Sequence, residues 1–196
     1  MTRHFTDQPV PSSLVDDLID AAVRAPSAGF TQGWSFVVLE GTAQTNRYWL
    51  HTTDERWRTR SSRYQGMAKA PVVVLPVTSP EAYAARYGEP DKVTSGLGPP
   101  PDGGGPGAWP VPYWFVDAAF ATMLLLLRAT EEGLGAAFLG AFRGETELLA
   151  DLGVPCGHRL LGAVLLGWPA IGDPPSASLH RGKHPAGDVI HRGGWA

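Results

Sequence analysis

Five arginines crowd one polar stretch, Arg47, Arg56, Arg58, Arg60 and Arg63, and a second basic cluster, His180-Arg181-Gly182-Lys183-His184-Pro185, lies near the C-terminus. Guanidinium and ammonium groups at this density suit phosphate recognition, or they coat a solvated helix face. For the five arginines the solvated face is the simpler reading. His180 and His184 are four residues apart, a spacing that shares a helix face, but Pro185 and the two intervening cations argue against a metal site, and none is expected. Cys156 follows Pro155 on a turn and reads as an incidental thiol rather than a nucleophile. The loop Ala25-Pro26-Ser27-Ala28-Gly29-Phe30-Thr31-Gln32-Gly33-Trp34 is rich in small residues. Such residues let a backbone approach a flat ligand closely, or they make a tight helix-to-strand turn; both readings stand. The chain has no Gly-x-Gly-x-x-Gly after a strand, no phosphate-binding Gly-Lys-Ser/Thr, no His-Glu-x-x-His and no Cys-x-x-Cys. No paired-carboxylate or Ser-His-Asp spacing is defensible either. What remains is a cofactor-binding pattern.

The elements that must position these groups fit one domain. A chain of 196 residues can bury about 70% of its extended surface around a single core. Its 43% hydrophobic and 18% charged content is that of a globular protein, and its net charge of −3 argues against a nucleic-acid surface. One cysteine excludes an internal disulfide, and the N-terminus lacks a secretory apolar segment, so a cytoplasmic location is expected.

Pro11-Ser12-Ser13 begins an amphipathic helix whose buried face is Val15, Leu18, Ile19, Ala22 and Val23. Ser13 and Asp16 resemble a capping arrangement, and Pro26 stops the helix. Ser35-Phe36-Val37-Val38-Leu39 reads as a buried strand, residues 43–69 as a polar helix, and Pro71 to Val77 as a central strand with proline at each limit. Residues 79–112 turn rich in glycine and proline, which predicts a lid or binding loop inserted into a single domain spanning 1–196. Trp109, Tyr113 and Trp114 at its end line a pocket or anchor the loop. The stretch from Tyr113 to Phe142 dominates the chain: an apolar helix stopped by Gly133 or Gly135, then a small-residue loop to Phe142. Its run between Asp117 and Arg128 is short of the roughly 20 residues that span a bilayer, so no membrane segment is expected. A short helix at 144–152, a second apolar strand at 159–168 and a polar tail from Pro169 to Ala196 complete the chain.

Taken in order, these pieces resemble the FMN-dependent nitroreductase family along nearly the whole length. Arg3-His4-Phe5 is similar to the end of that family's Arg-Arg-Ser-x-Arg-x-Phe segment, and residues 25–34 to its Ala-Pro-Ser-x-x-Asn-x-Gln-Pro-Trp loop. Ala70-Pro71-Val72-Val73-Val74 resembles its central strand. Gly133-Leu134-Gly135 through Phe142 resembles the segment beside the flavin, and Arg181-Gly182-Lys183-His184-Pro185 with Asp188-Val189-Ile190 and Trp195 resembles the tail. Met1 stands where the family has serine, Phe30 where it has asparagine, and Gly33 where it has proline.

The resemblance implies an α+β fold, a central mainly antiparallel sheet flanked by helices, in an intertwined homodimer with FMN in each interface cleft. It implies cofactor contacts from Arg3, Pro26, Ser27, Ala28, Phe30, Leu139 and Gly140, with Arg181 and Lys183 on the phosphate. Those two point the same way if the tail is extended. The implied activity passes hydride from NAD(P)H through flavin N5 to an electron-poor acceptor: a nitroaromatic, a quinone or another conjugated compound. The alternatives left open are a deazaflavin in place of FMN, or a member that has lost catalysis and binds a flavin or other small molecule as carrier, sensor or scaffold.

Overall fold

The structure, a computed structural model, describes residues 1–172 and 176–195; of the tail read from Pro169 to Ala196, residues 173–175 and 196 lie outside it. Strands β1 (Trp34–Glu40), β2 (Val72–Thr78), β3 (Gly135–Leu139), β4 (Arg159–Leu160) and β5 (Ala163–Gly167) form one antiparallel sheet ordered β1-β2-β5-β3, with β4 on β2. Helices cover both faces, as expected from the sequence. Alternation along β2 explains why every residue in it is buried. Val73, Leu75 and Val77 face a layer built from Tyr48, Trp49, Met67 and Leu148 of α2 (Gly41–Thr52), α4 (Ser62–Met67) and α7 (Glu145–Asp151). Val72 and Val74 face the layer of α1 (Ser12–Ala22) and α6 (Tyr113–Glu131), which contributes Val15, Leu18, Ala118, Ala121 and Leu125.

Pro76, expected at a strand limit, lies inside β2 opposite Phe36. Its carbonyl accepts from Leu161 N–H at 3.0 Å, where β4 ends and β5 has not begun, so its missing donor falls at a break in the ladder. The apolar run from Arg159 is accordingly two short strands rather than one.

The single polar helix expected over 43–69 is three: α2, α3 (Glu55–Arg60) and α4. Two side chains restart the helix. The Asp54 carboxylate accepts from Trp57 N–H at 2.6 Å, and Ser61 Oγ accepts from Tyr64 N–H at 3.1 Å. The breaks fold Trp49, Trp57 and Tyr64 together, with the Trp49–Tyr64 and Trp57–Tyr64 ring centroids both 5.3 Å apart. At α1 the expected Ser13 cap does not form; Pro11 occupies the cap position, and Ser12 Oγ donates instead to Glu40 Oε2 at 3.2 Å. Val23, expected on the buried face, lies past the end of α1 and is exposed.

Residues 80–87 of the Gly/Pro-rich stretch are a helix, α5 (Pro80–Tyr87), capped by Ser79 Oγ on Ala82 N–H. The remainder folds back over it, anchored by buried Trp109, whose Nε1 donates to Leu97 O at 3.1 Å. Trp109 packs edge-on against Tyr83 and Tyr87 of α5.

α6 ends in a Schellman turn. Gly133 takes φ of 74°, Leu134 N–H bonds Ala129 O and Gly133 N–H bonds Thr130 O. The small-residue segment after it, expected as a loop to Phe142, is edge strand β3 as far as Leu139 and irregular from Gly140 to Phe142. Among the described residues α6 is the one helix long and apolar enough, by length and composition, to cross a membrane. One face of it, with Asp117, Ala118, Ala121, Thr122, Leu125 and Ala129, is buried against the sheet and α1. The opposite face leaves Phe120, Met123 and Leu127 half exposed.

Candidate functional site

The loop that carries Pro26, Ser27, Ala28 and Phe30 enters β1 and is held from four sides. Ala28 N–H donates to Asp117 Oδ2 at 2.8 Å. Gly29 O accepts from Arg86 Nε at 2.8 Å. Gly33 O accepts from Ser79 N–H and from Thr78 Oγ1, both at 2.9 Å. Within the loop, Ser27 Oγ accepts from Gln32 N–H and Thr31 Oγ1 donates to Ala28 O.

This bonding holds a backbone that local preference resists. Gly29, Phe30 and Gln32 all have positive φ, at 59°, 56° and 51°. Glycine is at home there and is also required by space, because a Cβ on Gly29 would lie 2.8 Å from the Tyr87 ring. Phenylalanine is not at home there, and Phe30 stays largely exposed.

The clamp rests on two ionic groups that sequence reading missed. Asp117, buried on α6, also accepts from the Tyr83 hydroxyl at 2.9 Å. Burial, reinforced by that carboxylate, raises the Tyr83 hydroxyl above its usual value. Arg86 is fixed by a two-point pair to Asp91 at 2.7 and 2.8 Å, and this guanidinium draws the Asp91 carboxyl down to about 2. The available signal was Asp117 itself, a lone acid in an apolar helix: once buried, such a group needs donors.

Leu139 and Gly140 lie at the end of β3 and line a cavity of about 380 Å³. Its walls include Tyr48, Trp49, Trp57 and Met67, with Arg63 and Arg143 beside them. Burial pushes the Tyr48 hydroxyl up to about 12. Trp49 Nε1 is buried with no hydrogen-bond partner, closed off from the surface. A Cβ on Gly140 would lie 3.2 Å from the Phe142 ring, so the bare glycine lets a ring approach the backbone there.

Arg3 lies in the N-terminal segment beside the other end of β3. Thr2 N–H bonds Ala136 O, Phe5 N–H bonds Gly66 O and Thr6 N–H bonds Trp168 O. Arg181 and Lys183 are exposed. Arg181 closes a short 3-10 turn and Gly182 follows with φ of 71°, so the two cations do not share one extended run.

The structure thus gathers the expected site residues into separate groups. The Pro26–Phe30 loop adjoins edge strand β1, while Leu139 and Gly140 end the opposite edge strand β3. Three interstrand spacings put those edges about 14 Å apart within one chain.

The model of the nitroreductase family matches residues 1–96. A nitroreductase family protein from Streptococcus pneumoniae is 20% identical, with a TM-score of 0.68 over 97% of this chain and 94% of its own. An oxidoreductase containing FMN is 20% identical, with a TM-score of 0.66 over 100% of this chain and 88% of its own. A nitroreductase candidate from Desulfovibrio desulfuricans, solved in complex with FMN, is also 20% identical at a TM-score of 0.66, over 100% and 92% of the two chains. The chain therefore has the nitroreductase fold throughout, and over residues 1–96 it carries the sequence pattern of the nitroreductase family.

Proposed function

We propose that this chain is an FMN-dependent oxidoreductase that takes reducing equivalents from NAD(P)H and delivers them to an electron-poor acceptor, and that it works as a cytoplasmic homodimer. The observation that carries the reading is the cavity at the end of β3. It combines aromatic walls, including Phe142 over the Gly140 backbone, with the guanidinium groups of Arg63 and Arg143. That donor set fits a flat heteroaromatic cofactor with an electron-rich, anionic edge. Leu139 and Gly140 would lie against its ring, Arg3 would counter the charge that gathers on its edge, and Arg181 and Lys183 would hold its phosphate. When bound, FMN supplies reversible two-electron chemistry that this chain's side chains do not. The chain's own part is to bind, orient and exclude water, which agrees with the absence of an acid–base pair in its sequence.

What one chain leaves incomplete supports the homodimer. The clamped loop with Pro26, Ser27, Ala28 and Phe30 lies on the opposite sheet edge from the cavity, so a second copy would bring its loop to the first copy's cavity. Phe120, Met123 and Leu127, at i, i+3 and i+7 on α6, offer an apolar stripe for that association.

A visible spectrum of the purified protein tests the reading. Flavin absorption near one per chain, bleached by NADPH or NADH and restored by a quinone, is expected. A colourless protein that takes up no added FMN would overturn it.

A further inference from the structure

We propose that α3 carries a phosphate subsite for the nucleotide co-substrate, in which Arg56 and Arg60 grip a phosphate monoester beside Trp57, making NADPH rather than NADH the reductant. This rests on the oxidoreductase reading for its meaning, though not for its test.

Arg56 and Arg60 are i,i+4 neighbours on one face of α3, and with Asp54, Trp57 and Ser61 they line an open cleft of about 470 Å³. That cleft shares Asp54 and Trp57 with the cavity lined by Leu139 and Gly140. The two are therefore neighbours, and a nucleotide with its phosphate at α3 would reach a cofactor in the cavity from that side.

The nearby arginines divide by use. Arg47 pairs with Asp151, Arg143 with Asp54, and Arg58, on the other side of α3, donates to Thr53 O and Trp49 O. Arg56, Arg60 and Arg63 are exposed, and among the described residues none meets a carboxylate; Arg63 lines the cavity, which leaves Arg56 and Arg60 on the cleft. Like charges at this spacing repel, and a dianion between them removes the repulsion. The one acid lining the cleft is already engaged: Asp54 accepts from Trp57 N–H at 2.6 Å and from Arg143 at 3.0 Å, which holds its carboxyl below the usual range. A guanidinium pair suits a phosphate monoester, which carries about two charges, better than the singly charged diester groups of a nucleotide bridge.

The test titrates the full chain calorimetrically with NADP+ and with NAD+, which differ only by the 2′-phosphate monoester, in the wild type and in an Arg56→Gln/Arg60→Gln variant. It is paired with the NADPH-to-NADH ratio of kcat/KM. Expected are binding of NADP+ on the order of tenfold tighter than NAD+, and loss of roughly tenfold in both that preference and the kcat/KM ratio in the variant. Equal binding of the two nucleotides, or an unchanged ratio in the variant, overturns the subsite. If the variant instead loses FMN while keeping riboflavin, the arginines hold the cofactor's phosphate and the proposal falls. If the wild type oxidises neither reduced dinucleotide yet selects NADP+ over NAD+, the subsite stands and the oxidoreductase reading falls.

Discussion

Asp117 Oδ2 accepts both the Ala28 N–H at 2.8 Å and the Tyr83 hydroxyl at 2.9 Å. A single buried oxygen thus ties the central helix, the candidate cofactor loop and the helix that opens the Gly/Pro-rich stretch. Three segments far apart in sequence share one acceptor, so the loop's shape depends on α6 being in place.

Replacing Asp117 with leucine should cost about 3 kcal/mol of stability, because it strands two buried donors in an apolar setting. Asp117→Asn keeps an acceptor and should cost about 1 kcal/mol. Urea unfolding of the two variants measures the difference; a leucine variant as stable as the asparagine one would show that the donors find other partners.

Phe30→Asn should stabilise the protein by about 1 kcal/mol, since asparagine tolerates the left-handed conformation that Phe30 holds at φ of 56°. Thermal melts at fixed concentration report it. A lower melting temperature would mean that the exposed ring makes a contact worth more than the strain.

Arg181→Ala with Lys183→Ala should abolish flavin retention while leaving the oligomeric state unchanged. Flavin-to-protein absorbance ratios after desalting, read alongside light scattering, separate the two effects. Unchanged flavin content would remove both residues from the phosphate site.

Met123→Arg on the exposed face of α6 should convert a dimer into a monomer, since it places a charge in the apolar stripe between Phe120 and Leu127. The mass by light scattering decides. A wild-type protein that is monomeric at micromolar concentration would end the homodimer proposal.

The Arg86–Asp91 pair makes the loop clamp sensitive to acid. Asp91 lies at about 2 in the folded chain against an ordinary carboxylate value of 3.8. Its stabilising contribution is complete above the ordinary value and is lost as pH falls toward the folded one. Asp91→Asn should flatten the stability-versus-pH curve across that window, read as the difference between wild-type and variant melts. Parallel curves would show that the pair adds nothing.

Local sequence carried much of this architecture. The apolar run of β2, the face of α1 with Val15, Leu18 and Ala22, and the glycine stop after α6 all depend on neighbours in the chain. Periodicity and backbone preference report such features directly. The order of pieces resembling the nitroreductase family was legible for the same reason. The breaks at Asp54 and Ser61 were written there as well, but a polar residue inside a polar run looks the same whether it caps a helix or faces water.

What only the tertiary structure decided is pairing across distance. Asp117 stands out in sequence as a lone acid in an apolar helix, but only the fold brings it to Ala28 and Tyr83. Arg56 and Arg60 separate from Arg47 and Arg58 only when the fold gives the latter partners and leaves the former facing a cleft. Composition fixes which groups exist. The closing of 30- to 90-residue loops by the packed sheet and helices fixes which of them meet, because the worth of a polar group depends on the water it loses and the partner it gains.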